Sequence, residues 1–209
     1  MASGSRIRGP ASPHIPAAPA FYRRLIAGRY DRQARFYDSL YGEEQKAKYR
    51  ILPWRDILEG PVLDAGCGTG LFMEALKAQG LETVGVDLSI GMLEGARRRG
   101  LGRSCHLILA DAAYLPFTEG AFGTACSFTV LDRPQAPRIL SQLYGVVRDG
   151  GALILSLPKK CMSMLEAQRI LEASGMKPIE VCDQPQAKDY VILCTKQKAP
   201  RTVQPQRKA

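Results

Sequence analysis

Histidine is almost missing from this 209-residue chain, tryptophan occurs once, and no two cysteines stand at C-x-x-C spacing. His14 lies in a proline-rich stretch and His106 in a strand-like run, so they make no two-histidine metal set, and no metal is expected. The six cysteines, Cys67, Cys105, Cys126, Cys161, Cys182 and Cys194, are scattered singly, mostly in apolar runs. That pattern suits reduced, core-packed thiols and argues against a disulfide frame. Long apolar runs are missing too. Nothing approaches the roughly twenty continuous apolar residues that cross a bilayer, and Met1-Ala2-Ser3-Gly4-Ser5-Arg6 has no apolar signal core. The expectation is a soluble, cytoplasmic protein without a transmembrane segment.

Acids are absent from both ends. Before Tyr30 the charges are Arg6, Arg8, Arg23, Arg24 and Arg29; from Lys196 onward they are Lys196, Lys198, Arg201, Arg207 and Lys208. These ten cations exceed the net charge of +9 by one, so the remainder of the chain carries −1. The folded core is therefore not basic overall, while basic tails offer sequence-independent attraction to RNA or an anionic surface. Residues 1–20 and 196–209 are proline-rich and basic and read as disordered tails. Residues 21–195 read as a single domain, with 45% hydrophobic content over the whole chain to build its core. One basic cluster lies inside it, Arg97-Arg98-Arg99 with Arg103, where cations suit a helix C-terminus, with RNA contact as the other reading.

What is present is sharpest at Val62-Leu63-Asp64-Ala65-Gly66-Cys67-Gly68-Thr69-Gly70, an apolar strand ending in an acid and then three alternating glycines. Gly66, Gly68 and Gly70 can take positive φ and let backbone N–H groups approach a ligand. The helical run from Leu71 aims its N-terminal dipole at the same place. A dinucleotide fingerprint would need glycine at Leu71, and that spacing fails. Val84-Gly85-Val86-Asp87 is a second strand ending in an acid, the kind of group that accepts both hydroxyls of a ribose. Leu107-Ile108-Leu109-Ala110-Asp111 is a third, Ala121 to Val130 a fourth, and a Gly150-Gly151 turn precedes a fifth. A helix over Met162–Ser174 and strands over Pro178–Cys182 and Tyr190–Cys194 complete an alternating α/β pattern. Taken singly, each acid is as well explained as a helix N-cap or turn residue.

Together these landmarks, from about residue 30 to 157, resemble the class I S-adenosylmethionine-dependent methyltransferases, in particular those of quinone-biosynthesis type. The resemblance implies a Rossmann-like seven-stranded sheet with helices on both faces, strand order 3-2-1-4-5-7-6, the last strand antiparallel. It implies S-adenosyl-L-methionine as cofactor, held by Asp64, Gly66, Cys67, Gly68, Gly70, Asp87, Leu88, Asp111, Ala112 and Ser127. Cys67 is there a small filler, since nothing near it in sequence lowers a thiol pKa. The segment Tyr30–Gly42 resembles the family's N-terminal cap. Its aromatics Tyr30, Tyr37 and Tyr41, with Phe128, are expected to line the acceptor pocket; an amphipathic helix packing its aromatics on the domain is the alternative. Asp132 is the candidate general base, with a helix N-cap as its other reading. No N/D-P-P-Y run and no Pro-Cys pair occur, which excludes the family's enzymes that depend on them. The reading favours a small organic acceptor. RNA, protein, or a non-catalytic role as a cofactor-binding partner subunit stand as alternatives, and oligomeric state is not readable.

Overall fold

The computed structural model describes residues 19–51, 56–131 and 135–197. Thirteen elements alternate along them: α1 (Ala20–Gln33), α2 (Tyr37–Ile51), β1 (Val62–Ala65), α3 (Leu71–Lys77), β2 (Thr83–Asp87), α4 (Ile90–Arg98), β3 (Cys105–Leu109), β4 (Phe122–Ser127), α5 (Ala136–Val146), β5 (Val147–Pro158), α6 (Met164–Ala173), β6 (Lys177–Cys182) and β7 (Asp189–Thr195). They build one seven-stranded sheet in the order β3-β2-β1-β4-β5-β7-β6. All neighbours pair in parallel except β7, which runs antiparallel to both β5 and β6. The expected order and the reversed last strand are therefore present.

The physical basis is plain along the central strands. β1 and β4 are buried at every position, the pattern of parallel strands covered on both faces. The covering helices are amphipathic: α5 buries Ala136, Ile139, Leu140, Leu143 and Val146, a single stripe at helical spacing. Ends are set by local chemistry. The Ser89 side chain caps α4 by accepting from Met92 N, and Ser163 with Glu166 forms a capping box on α6.

Boundaries differ from the sequence reading in small ways. The third strand ends at Leu109, so Asp111 stands in the following turn, where its Oδ1 accepts from Ala113 N. The Gly150-Gly151 pair does not separate a helix from a strand; α5 passes directly into β5, and both glycines lie inside that strand.

Strand order reverses between β1 and β4, so the loops leaving their C-terminal ends diverge and open a crevice. The N-terminal helices reach toward it: α1 packs on α4, and α2 packs on α3 and β7.

Candidate active site

A cleft of about 300 Å³ occupies the crevice. Its floor is the glycine loop. Gly66 (φ +79°) and Gly68 (φ +54°) both line it, for different reasons. A Cβ on Gly66 would lie 2.1 Å from Val130 Cγ2, so the loops after β1 and β4 meet only because that atom is missing. A Cβ on Gly68 would meet nothing within 4 Å; it would project into open space. Gly70 faces Ala96 and Leu101 and serves packing, away from the cleft.

Asp87 ties loop and helix together: Gly68 N donates to its Oδ2 and Ser89 N to its Oδ1, both at 2.8 Å. Burial raises its pKa, and the bonds from Ser89, Gly68 and Leu88 amides pull the other way. Leu88, Asp111 and Ala112 line the cleft beside it. Asp64 and Cys67 line a smaller cavity of about 20 Å³ that shares Tyr37, Gly66, Gly68 and Phe128 with the main cleft. Asp64 is fully buried, and its Oδ2 accepts no hydrogen bond from the described residues. Desolvation first, then the charge of Asp87, lifts its pKa to about 7. An orphaned carboxylate oxygen at the end of a cleft is the kind of group a cationic ligand completes. Burial also pushes up the Cys67 thiol, which keeps it protonated and unsuited to nucleophilic work. Ser127 is not on the cleft; it is buried and donates to Ala65 O, joining β4 to β1.

Part of the lining is aromatic. Tyr30, Tyr37 and Phe128 line the cleft. Phe128 is held by Tyr49 and Phe72, with all three ring centroids 4.9–5.0 Å apart. Tyr41 stands against Tyr37 at 5.1 Å and lines neither cavity, while Phe36, in the turn between α1 and α2, is 63% exposed. Asp132 lies outside the described residues.

The structure also assembles residues that the sequence did not single out for a site. Asp31 Oδ1 accepts from Ser89 Oγ (2.5 Å) and Gly91 N (2.9 Å), which fastens α1 to the start of α4. Asp38 accepts from Thr69 Oγ1 (2.5 Å) and pairs with Arg99, which also binds Glu74 and the Thr69 carbonyl. Arg99 is therefore committed to an internal bridge, and of the Arg97-Arg98-Arg99 run it is the first two that are exposed. No helix among the described residues is long and apolar enough to cross a membrane.

Comparison with known proteins agrees with this arrangement. A family model described as a methyltransferase domain matches residues 62–151. The malonyl-[acyl-carrier protein] O-methyltransferase of Serratia marcescens is 31% identical over 136 residues, 64% of this chain and 52% of that protein. The protein of the same name from Salmonella typhimurium is 31% identical over 171 residues, 77% of this chain and 66% of that one. The chain spans about half the length of most of the curated relatives it matches. The solved magnesium protoporphyrin IX methyltransferase of Synechocystis PCC 6803, with S-adenosylmethionine bound, shares the fold at a TM-score of 0.69 and 20% identity, over 87% of this chain and 100% of that one. By the glycine loop, the sheet order and these matches, the chain belongs to the class I methyltransferases, the family whose cofactor is S-adenosyl-L-methionine.

Proposed function

We propose that this protein transfers a methyl group from S-adenosylmethionine to a small organic acceptor, working as a soluble cytoplasmic enzyme. One observation carries the reading: a single cleft is lined both by Asp87, Leu88, Asp111 and Ala112 and by Tyr30, Tyr37, Phe128 and Thr129. The first set suits a nucleoside, with Asp87 taking the ribose hydroxyls and Asp111 and Ala112 the base edge. The close approach that Gly66 and Gly68 permit and the unpartnered Oδ2 of Asp64 suit the amino-acid end. When bound, S-adenosylmethionine supplies an electrophilic methyl on a sulfonium sulfur that takes back the bonding pair. The residues of this chain align the partners and exclude water. Tyr30 and Tyr37 offer ring faces to a cation; burial, then Tyr30 and Asp87, raises the pKa of Tyr37, so it stays a neutral phenol. A base is needed only where the acceptor must lose a proton early, and Asp132 is the candidate there. The named activities of the relatives, on a malonyl group carried by acyl-carrier protein and on a porphyrin, favour a small organic group as acceptor. Nucleic acid is less favoured, because Arg99 of the core cluster is spent on Asp38 and Glu74.

Calorimetric titration with S-adenosylmethionine, S-adenosylhomocysteine and NADH tests the cofactor half. Binding of the first two and not of NADH is expected; NADH binding alone would overturn it. Transfer of labelled methyl to metabolites of low mass tests the acceptor half, and labelling confined to RNA or protein would overturn that.

A further inference from the structure

Beneath the acceptor end lies a buried polar cluster drawn from four distant parts of the chain. Lys48, on α2, is 3% exposed, and three carboxylate or hydroxyl oxygens surround its ammonium: Asp189 Oδ2 at 2.9 Å, Glu44 Oε1 at 3.2 Å and Thr129 Oγ1 at 2.7 Å. An ammonium has three N–H donors, so these partners use it completely. Ser156 Oγ donates to the same Asp189 oxygen (2.8 Å) and accepts from Thr129 N (2.8 Å). Gln45 Nε2 adds a second donor to Thr129 Oγ1 at 3.2 Å. Lys188 pairs with the other oxygen of Glu44, so the cluster is neutral overall.

Two features mark Thr129 within it. Its φ is +62°, and it is the one non-glycine residue with positive φ among the described residues. That conformation is costly for a β-branched side chain, and such strain persists where surrounding structure enforces it, most often at functional sites. Second, the oxygen of Thr129 already accepts from Lys48 and Gln45, which fills both lone pairs. Its own O–H has only distant takers in the protein, Gln45 Oε1 and Asp189 Oδ2, both at 3.4 Å. Asp189 Oδ2 is moreover occupied by Lys48 and Ser156. Lys48, Ser156 and Asp189 are sealed in, whereas Thr129 is half-buried and lines the cleft next to Phe128.

We infer that the Thr129 hydroxyl, its lone pairs held by Lys48 and Gln45, donates a hydrogen bond to an oxygen of the methyl acceptor, and so selects an oxygen nucleophile such as a carboxylate. The inference rests on the methyl-transfer reading above and narrows its acceptor class. A donor at this place suits an atom that only accepts hydrogen bonds; an amine about to be methylated needs an acceptor for its proton instead. A carboxylate oxygen arrives deprotonated, forms the new C–O bond with its own lone pair, and requires no base. Strain and burial fix the hydroxyl in advance, so little ordering accompanies acceptor binding.

The test uses the full-length protein with methyl-tritiated S-adenosylmethionine and small-molecule extract of the source cells. The bond class of each product is read by base lability and mass spectrometry. Label on oxygen, as a base-labile ester, is expected. Label on nitrogen or carbon would overturn the inference and leave methyl transfer standing. No label at all, with the cofactor bound, would overturn both. On the labelled acceptor, Thr129→Ala should raise KM and lower kcat/KM about 10- to 100-fold, with cofactor affinity unchanged. Thr129→Ser should restore kcat/KM to within about threefold. Thr129→Gly gives a readout independent of turnover: it and Thr129→Ala strip the same acceptor from Lys48, but only glycine relieves the positive φ, so its Tm should exceed that of Thr129→Ala while acceptor binding is lost in both. An acceptor KM unmoved in Thr129→Ala would make Thr129 a purely structural member of the cluster.

Discussion

The two groups of residues that line the cleft are built on opposite principles. The proposed cofactor end is made from one stretch, residues 64–112, and is set by backbone: a glycine loop open to close approach, a carboxylate that accepts from Gly68 N and Ser89 N, and strand ends in consecutive order. The proposed acceptor end is made from residues on α1, α2 and the loop after β4, backed by side chains of β5 and β7, with contacts such as Lys48–Asp189 joining residues 141 positions apart. Backbone recognition is cheap to specify locally and serves one invariant ligand. Side-chain recognition across distant segments can be changed at one position without disturbing the other end, which suits a family whose relatives are named for different acceptors.

The sharpest way to break that comparison is at the two glycines. Gly66→Val should destabilise the protein by about 2–5 kcal/mol, because the branched side chain meets Val130 and opposes positive φ. The loss would register as a collapse of Tm. Gly68→Ala should cost only about 1 kcal/mol of stability, as strain without a clash, yet cripple S-adenosylmethionine binding. Equal effects of the two on Tm would refute the division of labour between them.

Next in size is the pH dependence of Asp64. Its carboxyl ionises near pH 4 when unfolded and at about 7 in the fold. The folded state therefore holds the extra proton, and stability of the free protein should fall as pH rises from about 4 to 7, by on the order of a few kcal/mol. Affinity for the cationic cofactor should move the opposite way and rise through pH 7, as the ionised form becomes available. Thermal scans and calorimetry at several pH values check both slopes, and Asp64→Asn should flatten them.

Asp87→Ala should weaken cofactor binding by about 1–3 kcal/mol, since it removes the carboxylate that orders Gly68 and faces the cleft. Unchanged affinity in a folded variant removes Asp87 from the site. A smaller effect, about 0.5–1 kcal/mol, is expected for Asp38→Ala, whose half-exposed bridge to Arg99 fastens α2 over the loop. Stopped-flow release of S-adenosylhomocysteine should quicken while the acceptor KM is little altered. Smallest of all, deleting residues 1–18 and 198–209 removes Arg6, Arg8, Lys198, Arg201, Arg207 and Lys208 and should leave activity and its salt dependence alone. A salt slope that drops by about 0.7–0.9 for each lost contact would instead mark an RNA acceptor.

The glycine spacing, the acids after successive strands and the alternation of apolar runs were enough to carry the family resemblance, and that resemblance implied the sheet order; those local features are legible because each is set within a few residues by steric freedom and periodicity. Even the Ser163–Glu166 cap was readable at that range, although it was not singled out. Thr129 was visible in the run after the fourth strand, but not its strain. Arg99 read as one cation of a basic cluster; its bridge to Asp38 and Glu74 exists only once α2 lies over α3. Lys48, Ser156 and Asp189 carry no local signal at all. Burying an ammonium requires carboxylates brought to within 3.2 Å of it, and only the closing of β7 against β5, with α2 packed across them, brings those charges together.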